Sequence, residues 1–328
     1  MVYGKPQILI ALGSPSDIGI LKGINYPSSA EFYQGIASAH RTEDVVAEFA
    51  KKPWDAIIAG AGYVNALANA YKGANFLSPR TLVFGLPIWN DDAIANAASF
   101  FSSHVTPPGV PIAYGQTINF AVGAAARLTS DKFHHLGLVG EVDSPDLGTV
   151  DSHHQEQKLR IKNVYEEIQN ALDALRIQYQ EVSVAQSNDL PLDVLLINVG
   201  LTDQSRLDMM PKRKEKLIGL EPYKDRDGTL KDDLIYVGST MLFGLEKRIV
   251  GPIREVSDLI GGFFEYLEDI TNISHSGPAL IFETGKNLAL FAAQVLARDN
   301  KELESRLRTE FEKQREKYKD HKELVKLN

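Results

Sequence analysis

Asp55-Ala56-Ile57-Ile58-Ala59-Gly60-Ala61-Gly62 is a run of strand length that reads as buried and ends in glycine. A second run, Asp193-Val194-Leu195-Leu196-Ile197-Asn198-Val199-Gly200, keeps the same Asp-to-Gly separation. Working outward from the pair, Val83-Phe84-Gly85-Leu86 is matched by Leu242-Phe243-Gly244-Leu245, and Asn119 to Leu128 by Asn287 to Leu296 without a gap. The chain therefore reads as a diverged tandem repeat, one copy over residues 1–133 and the other over 134–328. Strands alternating with helices at this rhythm mean βαβ units and a mostly parallel sheet in each copy.

In the first copy, Gln7 to Leu12 predicts a strand, followed by the polar loop Gly13-Ser14-Pro15-Ser16-Asp17 and a helix carrying Ile18, Leu21 and Ile24. That helix is shortened by Gly23 and Pro27. A strand ending at Ala37 leads into Ser38-Ala39-His40-Arg41-Thr42, then a short helix with Val45, Val46, Phe49 and Ala50. Leu82 to Pro87 is the next strand, Ala93 to Phe101 a helix, Val110 to Tyr114 extended, and Ala121 to Leu128 a small-residue helix. In such sheets ligands bind beyond the carboxyl ends of the strands. Loops 13–17, 38–42 and 59–65 all fall there.

These loops carry an anion binder and a proton carrier. Histidine exchanges a proton near neutral pH, arginine grips phosphate with a fork of donors, and a helix N-terminus presents free N–H groups to an anion. Loop 13–17 has the spacing of neither GxGxxG nor GxxxxGK[ST], so it suits one phosphate and gives no sign of a pyrophosphate. Taken singly, the 38–42 turn reads equally as an ordinary capped turn, and Gly60-Ala61-Gly62 as a plain strand end. Their convergence on one sheet end carries the functional reading.

Composition narrows the field. The 328 residues hold 35 Lys and Arg against 43 Asp and Glu, a net charge of −8 that argues against nucleic acid or anionic membrane as the main partner. There are no cysteines, which excludes disulfides, thiolate zinc sites and a cysteine nucleophile. The pairs His134-His135 and His153-His154 lack a carboxylate or third histidine at ligand spacing, and no metal is expected. Met-Val-Tyr-Gly-Lys-Pro at the start has no signal-peptide character, and no apolar run approaches the roughly 18 residues of a membrane span. A cytoplasmic location is the expectation.

The second copy has diverged. Where the first has Ser38-Ala39-His40-Arg41 it offers Gln186-Ser187-Asn188-Asp189, an amide for the imidazole and an anion for the cation, so no catalysis is expected there. A charged insert over about 209–238 contains Asp227-Gly228 between extended segments and reads as a hairpin arm. The tail from Asn300 is a charged helix whose Leu303, Leu307 and Phe311 predict packing on another domain or subunit.

Four motifs of the first copy, Gly13-Ser14-Pro15-Ser16-Asp17, Ser38-Ala39-His40-Arg41-Thr42, Ala59-Gly60-Ala61-Gly62 and Pro108-Gly109-Val110-Pro111, occur in the order found in the aminoimidazole ribonucleotide carboxylase family of purine biosynthesis, which the chain resembles. That family includes carboxyaminoimidazole ribonucleotide mutase. The segment from Ser276 to Leu296 is similar to the family's C-terminal segment. The resemblance implies two tandem three-layer flavodoxin-like repeats, and an enzyme that forms 4-carboxy-5-aminoimidazole ribonucleotide without metal or organic cofactor. It further implies that Ser14, Ser16, Ser38 and Arg41 hold the single phosphate and Asp17 the ribose. Gly60, Ala61 and Gly62 would flank the imidazole ring, and His40 would move the proton.

Two departures leave the carboxyl donor open. Gly62-Tyr63-Val64-Asn65-Ala66-Leu67 lacks the histidine of the mutase branch, whereas Arg41 stands where the directly carboxylating branch has lysine. Family members assemble as octamers of single copies, so a tandem chain implies a tetramer of similar shape. A catalytically silent ribonucleotide-binding or regulatory protein is the alternative.

Overall fold

The computed structural model describes residues 4–37, 52–62, 66–74, 78–104, 106–115, 117–140, 152–183, 186, 194–199, 223–224, 230–231, 236–239, 279–280, 282 and 284–317. The first sheet comprises β1 (Gln7–Leu12), β2 (Glu31–Ile36), β3 (Ala56–Ala61), β4 (Leu82–Pro87) and β5 (Ala113–Tyr114), in the order β2-β1-β3-β4-β5. Every pairing is parallel, with Ile8 opposite both Phe32 and Ala56, and Ala56 opposite Leu82. This is the flavodoxin-like order, whose topological switch lies between β1 and β3.

Helices α1 (Ala66–Ala74), α2 (Ala93–His104) and α3 (Ile118–Ser130) accompany the sheet. The segment after β1 is a 3₁₀ helix, Pro15–Leu21, which ends ahead of Gly23 at φ 77°. Helix α1 was not anticipated from the sequence.

The second sheet is built from β6 (His135–Gly140), β7 (Gln180–Val182), β8 (Val194–Val199), β11 (Tyr236–Ser239) and β12 (Ala279–Leu280). Its order, β12-β11-β8-β6-β7, is that of the first sheet read from the opposite edge, and its pairings are likewise parallel. Helix α4 (Ser152–Ala174) connects β6 to β7, and α5 (Gly285–Leu296) and α6 (Lys301–Glu316) follow β12. The short strands β9 (Tyr223–Lys224) and β10 (Leu230–Lys231) pair antiparallel, as in the anticipated hairpin arm, whose Asp227-Gly228 lies outside the described residues.

The fourth strand position differs from expectation. Tyr236–Ser239 occupies it, with Val237 opposite Ile197, so residues 236–238 belong to the sheet and not to the insert. An aromatic and a β-branched residue suit this strand as well as the more apolar Leu242-Phe243-Gly244-Leu245, which lies outside the described residues.

Strands β1, β3, β4 and β5 of the first sheet are buried on both faces, as parallel sheets require, whereas the edge strand β2 is largely exposed. Ile8, Ile10, Leu12, Ile58 and Phe84 face one cluster with α3 and α5, while Leu9, Ala11, Ile57, Ala59 and Val83 face another with Trp54, Ala68 and Tyr71. Helix α2 lies so close to β4 that a Cβ on Gly85 would sit 1.8 Å from the Ser103 carbonyl oxygen, which makes glycine obligatory there.

Helices α5 and α6 tie the two halves together. Phe291 meets Phe84 edge-on at 5.7 Å. Asn287 donates from Nδ2 to Thr106 Oγ1 at 3.0 Å and accepts from the Gly109 N–H at 2.7 Å. Gln294 donates to Pro79 O at 2.7 Å and Thr81 O at 3.1 Å, and Arg298 pairs with Asp55 at 2.8 Å. The tail helix buries Leu303, Leu307 and Phe311, with Phe311 lying against Lys72 of α1. The contacts made by Gln294 and Arg298 lie where β3 and β4 begin, at the end of the first sheet opposite the strand-exit loops.

Thr284 caps α5 by accepting from the Asn287 N–H at 3.2 Å. Thr284→Ala is expected to lower stability by about 1 kcal/mol, read by urea denaturation, because that N–H loses its partner.

Candidate functional site

At the carboxyl end of the first sheet the chain leaves β1, β3 and β4 through three adjoining loops. The Gly13 N–H donates to Gly60 O at 2.8 Å, joining the exits of β1 and β3. A Cβ on Gly13 would come within 3.0 Å of the Ala61 Cβ, so the absence of a side chain permits the approach. Ser14 caps the 3₁₀ helix: its Oγ accepts from the Ser16 N–H at 3.3 Å and lies 2.8 Å from Ser16 Oγ. Two hydroxyls thus share one turn, Ser14 half-buried and Ser16 exposed.

Asp17 is the distinctive group. Only 9% of it is exposed, and Oδ2 is buried without a hydrogen-bond partner among the described residues. Burial raises its carboxyl above the ordinary range, with a backbone hydrogen bond from Ser14 pulling the other way. The carboxylate lies between the two strand exits: its oxygens are 3.6 Å from the positions that Cβ atoms on Gly13 and Gly62 would take. An unsatisfied buried carboxylate opposes folding, and it is the type of acceptor that a ligand hydroxyl or amine satisfies.

The Gly-rich exit of β3 has two different glycines. A Cβ on Gly60 would meet Ile88, Leu12 and Leu86 side chains, so packing explains its small size. Gly62 instead faces Asp17 and the Asn90 amide. Between them, the Ala61 carbonyl accepts from Ser99 Oγ and from the Ile88 N–H. Sequence reasoning passed over Asn90 and Ser99. The signal for Asn90 was its position, a polar Asn-Asp-Asp run just past a buried strand, as in the other two loops.

Ser38, His40 and Arg41 lie outside the described residues. Ala37, just before them, is buried and donates to Leu12 O at 2.8 Å, at the exit of β1. The structure thus brings together Ser14, Ser16, Asp17, Gly60, Ala61 and Gly62. Among the described residues no group of three or more His, Asp or Glu side chains is placed to hold a metal ion, and no helix is long and apolar enough to cross a membrane.

Comparison with known proteins places residues 7–134 within the AIR carboxylase family model, a match that contains the whole first sheet. No curated protein matches the chain. Among solved structures, the chain is similar to an extracellular ligand-binding receptor from Rhodopseudomonas palustris, at 10% identity with a TM-score of 0.22, over 93% of this chain and 87% of that one. Another protein of Rhodopseudomonas palustris (strain CGA009) is similar at 12% identity and a TM-score of 0.22, over 94% and 88% of the two chains. Likeness at that level carries no argument about fold or function.

Proposed function

We propose, from the match of residues 7–134 to the AIR carboxylase family model, that this chain is a carboxylase or mutase of purine biosynthesis and forms 4-carboxy-5-aminoimidazole ribonucleotide at the strand exits of its first sheet. The observation that carries the reading is Asp17, a buried carboxylate with an unsatisfied oxygen between Gly13 and Gly62. It suits a ribose hydroxyl, and the paired hydroxyls of Ser14 and Ser16 suit the phosphate.

In this reading Ser38 and Arg41 complete the phosphate site and His40 carries the proton. Starting from the N-carboxylated nucleotide, the bond between the exocyclic nitrogen and the carboxyl carbon breaks, the nitrogen gains a proton and carbon dioxide is freed. Ring carbon 4 then attacks that carbon dioxide and loses its own proton. One proton is delivered and one removed, so a single imidazole returns to its starting state. Holding the carbon dioxide beside the ring replaces an encounter from solution. In the directly carboxylating alternative only the second half of this sequence occurs.

The shared strand order of the two sheets supports reading the chain as two copies of one unit. With Gln186-Ser187-Asn188-Asp189 at the equivalent turn, the second copy acts as a structural partner. We place the enzyme in a homotetramer that mimics an octamer.

The test is to supply the purified protein with carboxyaminoimidazole ribonucleotide, and separately with aminoimidazole ribonucleotide plus bicarbonate. Product from one of them identifies the branch, whereas ribonucleotide binding without product from either identifies a silent binding protein. Asp17→Asn is expected to leave the thermal midpoint unchanged or higher, since a desolvated charge is removed. Ribonucleotide affinity, by calorimetry, should fall about tenfold with loss of the charged acceptor.

A further inference from the structure

Asn90 stands in an exposed loop, yet its polar groups are committed in four directions. Nδ2 donates to Gly62 O at 2.9 Å, and Oδ1 accepts from the Asp92 N–H at 2.7 Å. Its backbone N–H donates to Asn96 Oδ1 at 2.8 Å, and its carbonyl accepts from Asn96 Nδ2 at 2.7 Å. The first of these bonds is the long-range one, crossing from the exit of β4 to the exit of β3. The other three keep the loop in place on the first turns of α2, where Asp92 in turn accepts from the Ala95 N–H at 3.1 Å.

Exposed hydrogen bonds add little to global stability, because water competes for both partners. Four on one exposed residue therefore act by fixing local geometry. The partners fix the amide's orientation too: oxygen toward a backbone N–H, nitrogen toward a carbonyl. What that orientation positions is Gly62. A Cβ there would lie 3.4 Å from Asn90 Nδ2 and 3.6 Å from Asp17 Oδ1, so the Gly62 backbone runs between the buried carboxylate and the Asn90 amide.

We propose that Asn90 is a positioning residue that pins the Gly62 carbonyl and so holds the Gly62 backbone in place beside Asp17, at the edge of the ribonucleotide site. Asn90 acts through the backbone, and its contribution falls on binding. The inference deepens the function proposed above and, for its kinetic consequence, rests on it.

The experiment compares Asn90→Ala and Asn90→Asp with the unmodified chain in three measurements: thermal midpoint, steady-state kinetics with the nucleotide found to be turned over, and amide hydrogen exchange over 60–62. Aspartate retains an oxygen for the Asp92 N–H and replaces the donor to Gly62 by a negatively charged acceptor, whereas alanine removes both groups without adding charge. Both variants are expected to raise KM about tenfold with little change in kcat, the pattern of lost uniform binding. The thermal midpoint should stay near that of the unmodified chain and exchange at 60–62 should accelerate. Unchanged KM and exchange in either variant would overturn the role. Should the unmodified chain neither bind nor turn over a ribonucleotide, the functional reading fails. Exchange alone then decides for Asn90, faster exchange upholding the positioning and unchanged exchange refuting it.

Discussion

Lys72→Met is expected to stabilise this protein and to flatten its pH dependence in the alkaline range. Lys72 is 1% exposed, and burial lowers its ammonium from the ordinary 10.5 to about 7. Its surroundings soften the penalty without removing it: Nζ lies 3.0 Å from Gln294 Oε1, 3.4 Å from Thr81 O and 5.2 Å from the Phe311 ring centroid. Between pH 7 and 10.5 the unfolded chain holds a proton that the folded chain has released, so stability rises with pH across that window. Below pH 7 both states are protonated and the full desolvation penalty stands, on the order of 5 kcal/mol.

Methionine removes the charge and keeps the length. The substitution strips a donor from Gln294 Oε1, a loss of about 1 kcal/mol, whereas Thr81 O keeps its bond from Gln294 Nε2 at 3.1 Å. The net gain near pH 6 is then about 4 kcal/mol. Urea denaturation of both proteins at pH 6 and pH 9 measures it: the gap should be wide at pH 6 and narrower at pH 9. A less stable variant whose alkaline slope persists would mean that the amine is charged in the fold, and that its contacts outweigh its burial.

The same lysine explains why α1 escaped a sequence reading. Its buried face is Ala68, Tyr71 and Lys72, spaced as a helix face requires, but alanine marks an apolar stripe weakly and lysine marks a polar one. The strands posed no such difficulty. Ala56–Ala61 and Leu82–Pro87 are buried at every position, so period and length alone identified them. The shared strand order of the sheets was foreshadowed by the recurrence of Asp55–Gly62 at Asp193–Gly200.

The site was legible to the extent that its parts sit at strand ends. Ser14 and Asp17 follow β1 directly, and a loop at that place in a parallel sheet is a binding loop by topology. Asn90 was not legible, because its role is a hydrogen bond to Gly62, 28 residues away. Gly60 shows the converse: a glycine beside a candidate site, where core side chains already account for the missing Cβ.

The second of the two largest effects concerns His40. Within the proposed reaction, a proton must be removed from ring carbon 4 each time a carboxyl group is transferred, and carboxyl migration also delivers one to the exocyclic nitrogen. Asparagine retains hydrogen bonding and cannot exchange a proton near neutral pH. Loss of a general acid–base group lowers turnover by about 10² to 10⁴. Binding should change far less, because Ser14, Ser16 and Asp17 are left intact. The most direct measurement is therefore the rate of 4-carboxy-5-aminoimidazole ribonucleotide formation by the unmodified chain and by His40→Asn, with ribonucleotide affinity measured in parallel. The account predicts product from the unmodified chain, at least about 100-fold less from the variant, and similar affinity in both. Equal turnover in the two proteins, or none from the unmodified chain with either carboxyl donor, would contradict it.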